Sequence, residues 1–88
     1  MTNIKKIIDD AIKENKAVFG FREVYKALKN ELLKKIIVAK NIEEYRLKDI
    51  MYNAKIFKTE ILIFEGSSRE LGILAGKPYV ISTIGIKK

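Results

Sequence analysis

Three basic side chains follow a glycine at a spacing that suits the binding of an anion. Gly20 ends a short apolar run, and its lack of a side chain permits backbone conformations that are closed to other residues. If a helix begins after it, Arg22, Lys26 and Lys29 leave one face of that helix beside its N-terminus. Unpaired amides and the helix dipole favour negative charge at that point. The stretch therefore predicts binding of phosphate, such as the backbone of a nucleic acid.

A second polar stretch, from Glu65 to Gly72, has the form of a helix start. Ser67 is followed three residues later by Glu70, which is the spacing of a capping box. Strands that run parallel end at the same edge of a sheet, so we expect this turn to be a neighbour of the turn at Gly20. The two turns then form one cleft, lined by Arg22, Lys26 and Arg69 with further donors from the amides of Phe21, Gly66 and Ser67.

Each of these features also has a purely structural interpretation. Arg22 and Lys26 are equally consistent with an ordinary solvated helix face. Phe21 and Tyr25 are expected to pack in the core rather than to stack on bases. No strand shows the aromatic-rich surface of an RNA-recognition motif, so base stacking is not the expected mode of binding.

The composition restricts both the size of the protein and its chemistry. A chain of 88 residues with 48% apolar content predicts a single domain, residues 1–88, that buries about 60% of its unfolded surface. Cysteine and histidine are absent, which removes thiolate chemistry and the commonest general base and metal ligand. Gly66, Gly72 and Gly76 do not have the spacing of a dinucleotide or phosphate loop. We therefore predict no enzyme, no metal, no cofactor and no small-molecule substrate.

Positive charge is concentrated in two parts of the chain. The formal net charge is +7, and residues 16 to 40 contain seven basic and two acidic side chains, while residues 61 to 88 contain four and two. The remaining segments, 2 to 15 and 41 to 60, each sum to zero. This distribution favours a nucleic-acid partner. A generally lysine-rich proteome would explain the total well but the distribution poorly.

The sequence also predicts where the protein resides. No run of about 18 apolar residues is long enough to cross a bilayer. Asp9 and Asp10 follow the N-terminus too closely for a secretory signal. We expect a cytoplasmic protein without a membrane partner.

Apolar periodicity predicts four helices that alternate with four strands. Apolar stripes mark the first three helices: Ile4, Ile7, Ile8, Ala11 and Ile12, then Phe21, Val24, Tyr25, Leu28 and Leu32, then Leu47, Ile50, Met51, Ala54 and Phe57. Thr2 or Asn3 is available to cap the first helix, and Ser67 the last. The predicted strands are 17–19, 36–39, 61–64 and 79–86. This order predicts an α/β fold, a three-layer α/β/α sandwich around a central, mostly parallel four-stranded sheet.

Three segments together resemble the kink-turn RNA-binding ribosomal proteins, in particular their archaeal and eukaryotic large-subunit branch. They are Gly20–Lys26, with the sequence GFREVYK, the buried run Lys35–Lys40, with the sequence KIIVAK, and Phe64–Gly72, with the sequence FEGSSRELG, which is followed by Gly76-Lys77-Pro78. The resemblance extends from about Asn15 to Ile86.

The resemblance implies that the protein binds a kink-turn in large-subunit ribosomal RNA, without catalysis and beside other ribosomal proteins. It implies that the second helix enters the kinked RNA and that the loop before the last helix closes over an extruded nucleotide. Gly20, Arg22, Glu23 and Lys26 match the first contact region, and Glu65, Gly66, Ser67, Ser68 and Arg69 match the loop. Many relatives carry Asn or Lys where Arg22 stands, and some continue beyond the position of Lys88 into a tail whose contacts are then missing here.

Two other functions are consistent with the same residues. A kink-turn protein of box C/D or RNase P ribonucleoproteins would bind the same isolated RNA and would differ only in the particle that it joins. A protein-interaction module that uses the helix faces would bind protein, insensitively to salt, and would not bind RNA.

Overall fold

The computed structural model describes residues 3–88, in which four helices alternate with four strands as predicted. The helices are α1 (Ile4–Lys13), α2 (Phe21–Lys29), α3 (Glu44–Phe57) and α4 (Ser68–Leu74). The strands are β1 (Ala17–Phe19), β2 (Leu33–Ala39), β3 (Glu60–Phe64) and β4 (Thr83–Lys87). No helix in this part of the chain has both the length and the apolar content that a membrane span requires.

The four strands form one sheet in the order β1-β4-β2-β3. Strand β4 is antiparallel to both of its neighbours, and only β2 and β3 pair in parallel, so the expectation of a mostly parallel sheet is wrong. The cause is the short α4, which spans only about 10 Å. The amide of Ile81 donates to the carbonyl of Ser68 at 3.0 Å, so the chain returns to the edge that it left. Strand β4 therefore enters the sheet in the opposite direction.

Helices cover both faces of the sheet, which confirms the predicted α/β/α sandwich. On one face, Ile37 and Ala39 of β2 lie in a core shared with α1 and α4. On the other face, Ile36 and Val38 lie in a core shared with α2 and α3. Strand β2 is buried on both faces, as its unbroken apolar run predicts.

The first three helices end in the same way. Asn15, Glu31 and Lys58 follow α1, α2 and α3, and each has a positive φ, between 54° and 58°. A left-handed residue at this place turns the chain out of the helix and towards the next strand. At the start of α1, the side chain of Asn3 accepts from the amide of Lys6 at 3.1 Å, as predicted, while Thr2 lies outside the described residues.

Several predicted boundaries and burials are wrong. The segment 79–82 is a loop, so the last strand starts four residues later than predicted. Strand β3 lies at the edge of the sheet, and 54% of Ile63 is exposed. Helix α2 ends at Lys29, which leaves Leu32 outside it with 48% of its surface exposed. The exposed residues also include two members of the predicted apolar stripes, Ile12 and Met51.

Candidate nucleic-acid interface

Strands β1, β2 and β3 end, and β4 begins, at the same end of the sheet. This end is named the upper edge, and it is distinct from the edge strands β1 and β3. Backbone hydrogen bonds cross this edge from end to end. The amide of Gly20 donates to Thr83, the amide of Ala39 donates to Ser82, and the amide of Lys40 donates to Gly66, all at 2.9 to 3.0 Å. The turn after β1 and the turn after β3 are thereby held in one row.

The two predicted turns lie at the same edge but are not neighbours. Strands β4 and β2 lie between them, so three strand spacings, about 14 Å, separate Gly20 from Gly66. The loops at 40–43 and 79–82 fill this interval. The upper edge is therefore a row of four loops rather than a two-loop cleft.

Gly20 makes the sharp turn from β1 into α2. Its φ of +93° and ψ of 146° lie in a region that is essentially reserved for glycine. It supplies no side chain to cap α2, so the amides of the first helical turn have no side-chain acceptor. These amides point towards the open end of the helix, where an anion is favoured.

Each aromatic neighbour of Gly20 holds a cation from a different layer of the sandwich. The Nζ of Lys77, in the loop after α4, lies 4.7 Å from the centre of the Phe19 ring. The guanidinium carbon of Arg46, in α3, lies 5.0 Å from the centre of the Phe21 ring. Phe21 itself packs against the core, as expected for a structural aromatic residue. The Gly20 turn is therefore flanked by positive charge on both faces of the sheet.

The loop from Glu65 to Arg69 is fixed by its own caps and by the neighbouring loop. The hydroxyl of Ser67 accepts from the amide of Glu70 at 3.2 Å and lies 3.4 Å from the carboxylate of Glu70. The side chain of Asn41 accepts from the amide of Ser68 at 2.8 Å. A Cβ on Gly66 would lie 2.6 Å from the Phe64 ring, so a larger residue would displace that ring. Among residues 3–88, the amides of Gly66 and Ser67 have no acceptor.

The predicted basic side chains do not line one cleft. Arg22 and Glu23 line a cleft of about 520 Å³ together with Gly20, Tyr45 and Arg46. Arg69 lines a second cleft, and Lys26 lies one turn further along α2, in a groove shared with Lys87. The expectation of a shared cleft is wrong because two strands separate the turns and because the axial rise of α2 carries Lys26 away from the edge.

Two of the predicted site residues, Lys29 and Glu65, have partners for their charged groups: an aromatic ring and a lysine, respectively. The Nζ of Lys29 lies 5.2 Å from the centre of the Tyr25 ring, on the half of α2 remote from the upper edge. The carboxylate of Glu65 lies 3.9 Å from the Nζ of Lys40. Both side chains are exposed.

The structure adds residues to this edge that the sequence analysis did not select. They are Lys40, Asn41, Tyr45, Arg46, Lys77, Tyr79 and Val80. Arg46 belongs to a segment with no net charge, so composition gave no reason to choose it. Tyr79 and Val80 were assigned to a strand, yet they are 56% and 64% exposed in the loop before β4. The sequence did contain a signal for this loop, because a large aromatic residue and an aliphatic residue directly follow Lys77-Pro78.

Curated relatives match almost the whole chain. A large ribosomal subunit protein eL30 of Sulfurisphaera tokodaii is 34% identical over 98% of this chain and 81% of its own length. The protein of the same name from Pyrobaculum islandicum is 35% identical over 98% of this chain and 85% of its own length.

A solved structure has the same fold at low sequence identity. The 15.5kD RNA binding protein of Giardia lamblia superposes with a TM-score of 0.85 at 13% identity, covering 97% of this chain and 71% of its own. The family model described as Ribosomal protein L7Ae/L30e/S12e/Gadd45 family matches residues 2–88, and the chain belongs to that family.

Proposed function

We propose that this chain is a non-catalytic RNA-binding protein of the large ribosomal subunit, and that it recognises a kink-turn through the upper edge of its sheet. Family membership and relatives named as large ribosomal subunit proteins support this function. In this proposal the protein acts in the cytoplasm, in the ribosome, beside other ribosomal proteins.

The observation that carries the proposal is the row of unpaired donors along the upper edge. The first turn of α2 has no side-chain cap, and the amides of Gly66 and Ser67 have no acceptor within residues 3–88. Backbone amides at these two places are about 14 Å apart, a separation that one folded RNA can span but a small anion cannot.

The carboxylates at this edge support binding rather than catalysis. Glu65 lies 3.9 Å from Lys40, Glu43 lies 3.4 Å from Arg46, and Glu70 lies beside the Ser67 hydroxyl. Each of these three acids thus has a partner that orients a loop or a cation. In this proposal the acids shape the edge, and the cations and amides contact the RNA.

The site residues divide into those that specify the RNA and those that position it. Arg22 is exposed at the start of α2, and its planar fork can donate to two acceptors of a guanine edge. Lys26 and Lys29 lie further along the helix and contact backbone phosphates. Arg69, at the second turn, contacts phosphate on the opposite side of the kink, while the backbone from Glu65 to Ser68 encloses the extruded nucleotide.

A pair of titrations tests this division. We expect Arg22→Ala to weaken binding to a kink-turn oligonucleotide by about 1 to 3 kcal/mol. The same variant should bind a duplex that has Watson–Crick pairs in place of the kink with nearly the affinity of the parent. Lys29→Ala should weaken binding to both RNAs equally. Equal losses for Arg22→Ala would instead make Arg22 a phosphate contact.

The salt dependence and the native RNA complete the test. The logarithm of the binding constant should fall with the logarithm of salt concentration at a slope that reflects roughly three to six neutralised phosphates. A flat dependence would contradict RNA binding and favour a protein-interaction module. Sequencing RNA crosslinked to the protein in cells should recover large-subunit ribosomal RNA, and recovery of guide RNAs or RNase P RNA would assign the protein to another particle.

A further inference from the structure

The net positive charge of this protein does not lie at the upper edge. The residues there, 20–24, 40–47, 65–71 and 75–82, carry as many acids as bases. The bases are Arg22, Lys40, Arg46, Arg69 and Lys77, and the acids are Glu23, Glu43, Glu44, Glu65 and Glu70. The upper edge is therefore suited to specific contacts, but its residues do not account for the net charge of +7.

The excess lies at the opposite edge, called the lower edge below, where β1, β2 and β3 begin and β4 ends. Here the residues 13–16, 29–35, 58–60 and 87–88 carry far more bases than acids. The bases are Lys13, Lys16, Lys34, Lys35, Lys58, Lys87 and Lys88, together with Lys29, which the proposed kink-turn contact already uses. The acids are Glu14, Glu31 and Glu60, and Asp10 of α1 lines a groove with Lys34 and Lys35. All of the bases are lysines, which act as point charges and do not favour the reading of base edges.

Five of these lysines, the lower-edge cluster, are joined by the backbone. They are Lys16, Lys34, Lys35, Lys87 and Lys88. The amide of Lys87 donates to the carbonyl of Lys16 at 2.8 Å, and the amide of Lys88 donates to Leu32 at 2.9 Å. Leu33 pairs with Lys87, which places the end of β4 beside the start of β2. Among the described residues, only Lys16 in this cluster has a carboxylate within 4 Å, that of Glu14 at 3.8 Å.

Two members of the cluster are adjacent through their backbones. The amide of Lys87 donates to the carbonyl of Lys16, one residue beyond the paired Ala17 and Ile86. Two positive charges carried by neighbouring strand ends favour an external anion beside them.

The lower-edge cluster is too far from the upper edge to belong to the same contact. Strand β2 runs from one edge to the other over seven residues, which corresponds to about 20 Å. Charges at this separation are largely screened at physiological salt, where the Debye length is about 8 Å. An RNA bound at the upper edge therefore does not neutralise these lysines.

We propose that the lower-edge cluster is a second RNA-binding surface, which holds the phosphate backbone of an RNA segment other than the kink-turn, so that the protein bridges two segments. The choice of RNA rather than an acidic protein rests on the proposed function, since a protein packed among ribosomal RNA meets phosphates on several sides. Binding at this surface is independent of sequence and sensitive to salt, because lysine and phosphate interact mainly through charge.

A ternary-complex assay tests the bridge. The protein is mixed with one equivalent of a labelled kink-turn oligonucleotide, and a second RNA duplex without a kink-turn is added with a different label. We expect the two labels to migrate together. Replacing Lys16, Lys87 and Lys88 with Gln should weaken duplex binding about tenfold or more and lower its salt slope by about two to three. Because Lys87 shares a groove with Lys26, kink-turn binding should weaken too, but by about twofold at most.

The control variant removes the same charge elsewhere. Lys5, Lys6 and Lys48 lie on exposed faces of α1 and α3, and their replacement with Gln should leave duplex binding within about twofold. The lower-edge variant should melt close to the parent, because the ion pair that it loses, between Lys16 and Glu14 at 3.8 Å, is exposed to solvent.

Three results would overturn the proposal. The duplex could bind only by displacing the kink-turn RNA, or the control variant could lose as much affinity as the lower-edge variant. Polyglutamate could also displace the labelled duplex more effectively than unlabelled duplex does at equal charge, which would indicate an acidic protein partner. A chain that binds no kink-turn would contradict the proposed function alone, since dependence of duplex binding on Lys16, Lys87 and Lys88 is still measured.

Discussion

The guanidinium carbon of Arg46 lies 5.0 Å from the centre of the Phe21 ring, and its Nε lies 3.4 Å from the carboxylate of Glu43. The ring and the carboxylate together fix a cation beside the Gly20 turn. Such an interaction between a cation and an aromatic ring contributes about 0.5 to 1 kcal/mol where it is exposed to solvent. In the proposed function, its larger effect is to hold a positive charge where an RNA phosphate binds.

Arg46→Ala should therefore weaken RNA binding more than it weakens the fold. We expect about a tenfold loss of affinity for a kink-turn oligonucleotide, equivalent to about 1.4 kcal/mol, in a fluorescence titration at fixed salt. Lys55→Ala, at the other end of α3, is the matched control and should change affinity little. Equal effects of the two variants would show that Arg46 acts only through net charge.

Gly20→Ala tests whether the turn at Gly20 orients the first amides of α2 towards the RNA. No heavy atom lies within 4 Å of the position that a Cβ would occupy, so the cost is backbone strain at φ +93°, about 1 to 3 kcal/mol in urea denaturation. Gly76 also has open space and a positive φ, of +74°, so Gly76→Ala should lose a similar stability. Only the Gly20 variant should also lose RNA affinity when both are fully folded.

Gly72→Ala should displace the loop before β4. A Cβ at this position would lie 2.1 Å from the carbonyl oxygen of Tyr79, so the backbone of that loop must move. We expect a loss of about 1 to 3 kcal/mol in stability and altered amide shifts at Val80. Ile73→Ala, at an exposed neighbouring position, is the control, and a stable Gly72 variant with an unchanged loop would contradict the close packing seen here.

Glu31→Gly should stabilise the protein. Glu31 lies two residues after the end of α2 and has a φ of +57°. This conformation costs a residue with a Cβ about 1 to 2 kcal/mol and costs glycine little. After the larger backbone entropy of an unfolded glycine is subtracted, we expect a gain of about 0.5 to 1 kcal/mol in the free energy of unfolding. Lys29→Gly, inside the helix, should lose about 1 kcal/mol, and a loss at both positions would argue against the left-handed turn.

Local signals in the sequence determined the elements and the two turns of the site. The glycine after Ala17-Val18-Phe19 and the Ser67 and Glu70 pair mark helix starts because they act on backbone groups a few residues away. The structure has a turn and a cap at those places. The apolar run 36–39 likewise indicated a strand buried on both faces, because alternate residues of a strand face opposite sides and all four of these are apolar.

Only the tertiary structure decided the direction of β4, the distance between the two turns and the assembly of charges from different elements. Periodicity contains no information about strand direction, which here depends on a short α4 and on the hydrogen bond from Ile81 to Ser68. Arg46 reaches Phe21, and the amide of Lys87 donates to the carbonyl of Lys16, because packing joins segments that are remote in sequence. A count of charge along the chain therefore located the excess in residues 16–40 and 61–88 but not its position in the fold, since each element carries some of its residues to one end of the strands and the rest to the other.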